Sequence, residues 1–436
     1  MANILLIGNA AREHVIAETI LRSPQKPKLY AYMAAKNPGI AGLAAAAEIG
    51  PYSDREGIKA FAMKHNIDLA VVGSEAPIAE GVVDALKEVG IVSASPTKAM
   101  ARLETSKGFT RSLMQKYGIA GLPKFRICST MDEAQEFAGG LAEIVVKPDG
   151  LTGGKGVKVQ GDHFATKEEG LSYAQELMHK GGSVLIEEKL DGEEFSLQSF
   201  TDGTTVTDCP PVQDHKRAYA DDKGPNTGGM GSYTTGRLLP FMTEQDLVDA
   251  HGITVKVAQA LKKELGKPYV GIMYGGFIIT KDGVRLIEYN ARFGDPEAMN
   301  VLPILRSDIV ELFRRMVEGT LHEMRVEFDP APTVCKYAVP KGYPEHPVKG
   351  EAVDVSAVPK DAMLYYASVA ENNRKLIMSA SRAIAVVGIG RTIEEAERLA
   401  QIAVESIRGP IAFRKDIGTK KLLQKRIEHM AAVKRR

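Results

Sequence analysis

The sequence predicts an α/β protein: a doubly wound parallel sheet at the N-terminus, a central α+β region and a β-rich C-terminal domain. Three observations predict it. Apolar runs of strand length alternate with helical patterns over residues 1–103, a glycine-rich loop separates two strand patterns near residue 150, and Pro330-Ala-Pro332 precedes a stretch of short strand patterns.

In residues 1–103 the strand patterns Ile4 to Ile7, Lys28 to Tyr32 and Asp68 to Val72 alternate with the helical stretches Arg12 to Leu21, Asp54 to His65 and Ile78 to Val89. Such a series forms a parallel sheet whose ligands sit outside the carboxyl ends of the strands, which singles out the loops Gly8 to Glu13 and Gly73 to Pro77. Residues 104–195 read as a smaller mixed unit, with helices at Ser106 to Tyr117 and Met131 to Phe137 and strands at Glu143 to Lys147 and Val184 to Glu188. Residues 196–328 carry the long strands Gly271 to Thr280 and Val284 to Asn290, and a helix from Thr243 to Leu265 that Gly266 ends. Residues 329–436 form the β-rich domain, with one clear helix opened by a Thr392/Glu395 capping box and stopped at Gly409-Pro410.

Charge and composition exclude several functions. The 436 residues hold 56 Lys plus Arg against 55 Asp plus Glu, a net charge of +1, so binding driven by charge to nucleic acid or an anionic membrane is not expected. The one basic cluster, Lys415 to Arg436, reads as a solvated helix end. With 44% hydrophobic and 25% charged residues the chain is globular in composition. Three scattered cysteines, Cys128, Cys209 and Cys335, predict no disulfide framework or zinc knuckle and point to a reducing cytoplasm. No run approaches the roughly 18 apolar residues of a membrane helix, and the first residues enter a strand directly, without a signal-peptide pattern. The absence of a long exposed apolar stripe favours a monomer.

Four stretches carry chemistry. Lys147-Pro-Asp-Gly-Leu-Thr-Gly-Gly-Lys-Gly156 lies between strands, and Gly153, Gly154 and Gly156 with Lys147 and Lys155 suit a clamp on phosphate oxygens. It is not a Walker A loop, because its spacing is one residue short and Gly156 stands where Ser or Thr would meet magnesium; a plain glycine hairpin is the alternative. In Val284 to Arg292, alternation puts Glu288, Asn290 and Arg292 on one face and Ile287, Tyr289 and Ala291 on the other. A carboxylate and an amide oxygen so spaced suit Mg²⁺ or Mn²⁺, and the guanidinium beyond them suits a transferring phosphoryl group or acyl phosphate. Asp295 and Glu297 follow directly. Ile186 to Glu194 reads as strand, connection, strand, able to offer backbone groups to a purine and Glu194 to ribose hydroxyls, although acidic turns are common. Gln213-Asp-His-Lys-Arg217 leads into the glycine loop Gly224 to Gly231, which includes Gly229, and could hold a small zwitterionic or phosphorylated substrate; His215 as a base is one option, a surface loop another. At the N-terminus Arg12 opens a helix after the first strand and reads as a phosphate or carboxylate contact.

Together these stretches resemble the glycinamide ribonucleotide synthetases, the phosphoribosylamine–glycine ligase family of the ATP-grasp superfamily. The resemblance is carried by Gly8-Asn9 with Arg12-Glu-His14, Val72 to Pro77, Leu103 to Lys107, Lys147 to Val157, Glu187 to Glu194, Gln213 to Arg217, Gly224 to Gly231, Ile287 to Glu297 and Arg414 to Gly418. It implies a two-lobed ATP-grasp fold after the N-terminal nucleotide-binding-like domain. It implies that Lys107 and Lys147 contact ATP phosphates, that Glu187, Glu188 and Leu190 frame the adenine, that Glu194 holds the ribose and that Glu288 and Asn290 bind the metal. The implied substrates are ATP, glycine and 5-phosphoribosylamine, joined through glycyl phosphate in the second step of purine biosynthesis. Arg292, with Lys147 and Asp295, is the expected catalytic set; Glu75, Asp214 and Lys216 are the candidates for the ribose 5-phosphate. Three departures from the family pattern are Ala10-Ala11 for Gly-Gly, Ser74 for Pro, and Thr152-Gly153 where two alanines are commoner.

Rival readings are a carboxylase or another amine ligase with the same clamp, a nicotinamide-dependent oxidoreductase, which the missing GxGxxG disfavours, and a non-catalytic ATP sensor.

Overall fold

The computed structural model describes residues 2–150 and 156–436. Gly153, Gly154 and Lys155 of the expected phosphate clamp lie outside the described residues.

The N-terminal strands form a five-stranded parallel sheet in the order Ala46–Ile49, Lys28–Met33, Asn3–Ile7, Leu69–Val72, Val92–Ser93. Its central strand is fully buried from Ile4 to Ile7, as expected of a strand covered on both faces by helices. The two rim loops meet at one side chain. Glu13 accepts from the Ala10 N–H at 2.7 Å and from Arg12 Nε at 2.7 Å, and a Cβ on either Gly8 or Gly73 would fall within 2.5 Å of its Cγ. Ala10 has φ −101° and ψ −175°, a conformation open to any L-residue, so this loop closes without the family's glycines.

The single helix expected over Ile78 to Val89 is two helices, Glu75–Ala79 and Val82–Glu88, because Gly81 turns left-handed at φ +81° between them. The first starts at Glu75 and brings that carboxylate to the rim.

Two four-stranded antiparallel sheets follow. One has the order Phe125–Cys128, Val184–Glu188, Ile144–Pro148, Lys158–Val159; the other Val206–Asp208, Glu193–Thr201, Gly271–Thr280, Gly283–Asn290. The boundary read at 195/196 falls inside the strand Glu193–Thr201, which pairs along its whole length with Gly271–Thr280. The helix Glu244–Leu265 packs beside the second sheet. Thr243 accepts from Asp246 N–H, the Asp246 carboxylate returns to Thr243 N–H at 2.8 Å, and Gly266 ends the helix at φ +68°.

The C-terminal sheet also draws in strands from ahead of residue 329. Its six strands include Gln213–Asp214 and Gly231–Thr234, the latter paired with Thr333–Pro340, so the sheet crosses that boundary. The helix Ile393–Glu405 ends at Ser406, ahead of Gly409-Pro410, and the Glu395 carboxylate returns to Arg391 N–H rather than to Thr392. The basic tail is no solvated end: Lys420–Arg435 is a sixteen-residue helix that buries Leu422, Leu423, Met430 and Val433. Cys128, Cys209 and Cys335 are free and buried. Among the described residues, no helix is long and apolar enough to cross a membrane.

Candidate active site

The two antiparallel sheets face each other across a cleft of about 630 Å³, lined on one side by Val145, Lys147, Leu185 and Glu187 and on the other by Tyr274, Ile278, Glu288 and Asn290. Register explains how charge reaches it. On the strand Gly271–Thr280, Tyr274, Gly276 and Ile278 point into the cleft, opposite Gln198, Ser196 and Glu194 of the neighbouring strand. On the other side Gly276 pairs with Glu288, but Phe277 pairs with Leu286, which leaves Ile287 as an extra residue. This β-bulge inverts the alternation. Val284 and Leu286 pair with residues on the core face, whereas Glu288 and Asn290, the residues that simple alternation would place with them, pair with cleft-facing Gly276 and Tyr274. The sequence reading grouped Glu288, Asn290 and Arg292 correctly but missed the bulge that turns them to the cleft.

The bulge also frees a carbonyl. The Ile287 oxygen accepts from Arg111 Nη2 at 2.7 Å and from Lys147 Nζ at 3.4 Å. The same two cations hold the buried Glu187 carboxylate, Arg111 Nε at 2.5 Å and Lys147 Nζ at 2.6 Å. Burial opposes ionisation of Glu187, yet Arg111 and Lys147 outweigh it and keep its pKa below the usual carboxylate range; burial, with Arg111 beside it, pulls that of Lys147 down. Two cations against one carboxylate leave one positive charge facing the cleft, a site for an anion. Lys107 reaches in from the start of the helix Lys107–Lys116 and donates to Gly150 O at 3.0 Å. Asp149 ties the glycine loop to that helix through Ser106 Oγ and Gly108 N–H.

Glu288 remains ionised although burial opposes it, because Lys216, Lys107, Lys147 and Arg292 hold its pKa below the usual range. The Asn290 oxygen accepts from Arg292 Nη2 at 3.2 Å. A carboxylate and an amide oxygen side by side fit a hard divalent cation that completes its shell with water and phosphate oxygens. Among the described residues no group of three His, Cys, Asp or Glu side chains is disposed to hold a metal by itself.

Arg292 is the hub of the inner end. Its Nη2 lies 3.0 Å from Glu104 Oε1 and its Nε 3.3 Å from Glu75 Oε2, the second contact without hydrogen-bond alignment. Arg12 shares Glu75 at 3.6 Å. Burial disfavours a charged Glu75, but Arg292 and Arg12 bring its pKa to about 2. Arg12 donates to Phe293 O and stands behind the cleft wall. Asp295 does line the cleft, and its Oδ1 accepts from Tyr337 at 2.6 Å and pairs with Arg382 Nη2 at 3.2 Å. Gly229 also stands behind the wall: its carbonyl accepts from Arg382, and a Cβ there would sit 2.7 Å from Pro296 Cδ. The Gly156 carbonyl accepts from Tyr173, likewise outside the lining.

Lys216 and Asp214 line the floor with Glu297. Asp214's charge raises the pKa of Lys216, which also lies 3.7 Å from Glu194 Oε2. Glu297 is buried and accepts from Tyr274 Oη at 2.7 Å; burial and the charge of Asp214 push its pKa to about 7. His215 is buried with both ring nitrogens unpartnered, and burial followed by the charges of Arg414 and Arg426 lowers it to about 3, which leaves it neutral and a poor base. Glu188 and Leu190 both line the cleft, and the Glu188 carboxylate accepts from Lys124 N–H at 2.8 Å.

The sequence reading missed Arg111, Glu104, Tyr274 and Arg426. Arg111 had a signal, since it follows Lys107 by four residues on one helix face. Arg426 had none.

Profiles of the phosphoribosylglycinamide synthetase family match the chain in three parts: the N domain over residues 2–104, the ATP-grasp (A) domain over 105–298 and the C domain over 333–420. A phosphoribosylamine–glycine ligase of Methanosarcina barkeri is 50% identical over 428 residues, 98% of each chain. One of Methanocaldococcus jannaschii is 49% identical over 444 residues, covering 99% of this chain and 100% of that one. The crystal structure of a phosphoribosylamine–glycine ligase from Thermotoga maritima superposes with a TM-score of 0.80 at 28% identity, covering 95% of this chain and 100% of that chain. A biotin carboxylase from Campylobacter jejuni shares the fold, with a TM-score of 0.75 at 15% identity over 99% and 98% of the two chains. From end to end, this chain belongs to the phosphoribosylglycinamide synthetase family.

Proposed function

We propose that this protein is a phosphoribosylamine–glycine ligase, which uses ATP to join glycine to 5-phosphoribosylamine through glycyl phosphate. The observation that carries the reading is the single cleft in which the ionised Glu288 and Asn290 lie across from Lys107, Lys147 and Arg111, with the mixed-charge group Asp214, Lys216 and Glu297 on its floor. One charge set suits a metal triphosphate, the other a zwitterion.

The nucleotide lies between the sheets, its base and ribose along Glu187, Glu188, Leu190 and Glu194. Lys107, Lys147 and the loop through Gly153, Gly154 and Lys155 hold its phosphates, with Gly156 closing the loop behind them. Glu288 and Asn290 would hold Mg²⁺ or Mn²⁺, which supplies charge neutralisation to the phosphates. A glycine carboxylate oxygen attacks the γ-phosphorus; the new oxygen–phosphorus bond forms as the bond to the β-phosphate oxygen breaks and ADP leaves. The phosphoribosylamine nitrogen then attacks the acyl carbon, phosphate departs with its bridging oxygen, and the nitrogen loses a proton. Arg292, oriented by Glu75 and Glu104, faces the charge on the transferring group, and Arg12 supports it through Glu75. Asp295 fixes Arg382 against Gly229. Catalysis here is positioning and charge stabilisation in a closed site.

Glu297 and Asp214 grip the ammonium of glycine, and Lys216 meets its carboxylate. A proton on Glu297 removes that attraction. Because its pKa is raised to about 7, the charged form prevails above pH 7 and is lost below it. KM for glycine therefore rises by roughly tenfold per pH unit as pH falls below 7 and is flat above it. Glycine-dependent ADP release measured from pH 5.5 to 8.5 tests this. Glu297→Gln raises KM at all pH values and abolishes the slope; a KM indifferent to both pH and this substitution overturns the glycine assignment.

The protein acts as a monomer in the cytoplasm. Large exposed apolar side chains, such as Ile49, Met63 and Val248, are scattered, and the three buried thiols suit a reducing compartment.

A further inference from the structure

The C-terminal helix Lys420–Arg435 lies almost wholly beyond the family's C-domain match, which ends at residue 420, and yet it reaches the cleft. Its apolar face packs on the strands Glu193–Thr201 and Gly271–Thr280. Its polar face grips the connection between the two sheets. His429 Nδ1 lies 2.6 Å from Glu193 Oε1 and its Nε2 3.2 Å from Asp191 Oδ1, and Arg436 Nη1 lies 2.7 Å from Asp191 Oδ2. Arg426 lines the cleft, 3.6 Å from Glu193 Oε2 and hydrogen-bonded to Asp222 at 2.5 Å.

The gripped segment is short. Only residues 189–192 separate the strand Val184–Glu188 of one sheet from Glu193–Thr201 of the other, so this connection sets both the spacing of the sheets and the place of Leu190 and Glu194. Gly192 runs so close to the neighbouring strand that a Cβ would fall 1.9 Å from Ile279 O. Glu193 is 3% exposed, and its other oxygen accepts from Gln213 Nε2 at 3.2 Å. A buried carboxylate held from both sides is a fixed point, and His429 is one of its holders, with Gln213 and Arg426 on the other oxygen.

We propose that His429, with Arg426 and Arg436, positions the Lys189–Gly192 connection for nucleotide binding, so that the far C-terminus of the chain sets affinity for ATP. The proposal rests on the ligase reading only in placing base and ribose along this connection. His429 touches no substrate; it acts through Glu193 and Asp191.

The test separates ATP from glycine. His429→Ala raises KM for ATP and the dissociation constant of Mg-ADP by about tenfold, as expected for loss of a hydrogen bond to a buried charge, while KM for glycine stays within about twofold. His429→Asn, whose amide nitrogen stands where Nδ1 does, restores most of the affinity. Equal Mg-ADP affinity in His429→Ala and the unaltered protein overturns the proposal, as does an equal rise in both KM values, which would mark a merely structural role. Failure of the unaltered protein to bind Mg-ADP would instead overturn the ligase reading itself.

Discussion

Replacing Glu288 with alanine lowers kcat for glycine-dependent ADP release by about a thousandfold, the loss of roughly 4 kcal/mol of transition-state stabilisation expected when a metal site loses its carboxylate. The size follows from the surroundings. The carboxylate is the ionised partner of Asn290 on the cleft face, kept charged by Lys216, Lys107, Lys147 and Arg292, and among the described residues no group of three acidic, His or Cys side chains offers a substitute site. The residual activity requires a higher concentration of divalent metal, which a metal titration at saturating ATP measures. Glu288→Ala turning over at the unaltered rate would remove the metal assignment and reopen the reading of the chain as a non-catalytic ATP sensor.

Arg292→Lys lowers kcat by about a hundredfold even though the charge is retained. The guanidinium meets four groups at once: Glu104 Oε1 at 3.0 Å, Glu75 Oε2 at 3.3 Å, the Asn290 amide oxygen at 3.2 Å and Phe293 O at 3.2 Å. One ammonium cannot satisfy that planar set. Glu104 would lose its partner in a buried setting where burial already raises its pKa and Arg292 is the largest influence against it. Single-turnover kinetics locate the loss: the phosphoryl-transfer step slows while Mg-ADP affinity is kept. A lysine variant with unaltered kcat would show that Arg292 serves only to hold Glu75 and Glu104.

These two residues mark where the sequence was legible. The strand Val284 to Arg292 announced a carboxylate, an amide and an arginine on one face through residue type and spacing. The N-terminal parallel sheet was visible in the apolar runs of its three inner strands, Asn3–Ile7, Lys28–Met33 and Leu69–Val72, which are largely buried, whereas the mostly exposed edge strands Ala46–Ile49 and Val92–Ser93 left no such run. The bulge at Ile287 was not visible. Bulging is a property of the pairing with Gly276 and Phe277, and the local sequence of one strand does not contain its partner. Glu104 and Arg111 were in plain view near Lys107, but their roles depend on meeting Arg292 and Glu187, far away in the chain. The tail failed for a similar reason: Leu422, Leu423, Met430 and Val433 are spaced on one helix face, yet their burial depends on strands more than 140 residues earlier. Ala10 is the converse case, where a departure from the family's glycines costs nothing because φ is −101°.

The most direct test of the central claim is ADP release with Mg-ATP and glycine, with and without phosphoribosylamine generated in place from ribose 5-phosphate and ammonia. The account predicts sustained release only when glycine and phosphoribosylamine are both present, with one ADP formed for each glycine consumed. Release that proceeds at the same rate without glycine would mean that the cleft binds and uses ATP but activates a different acid, and would contradict the account.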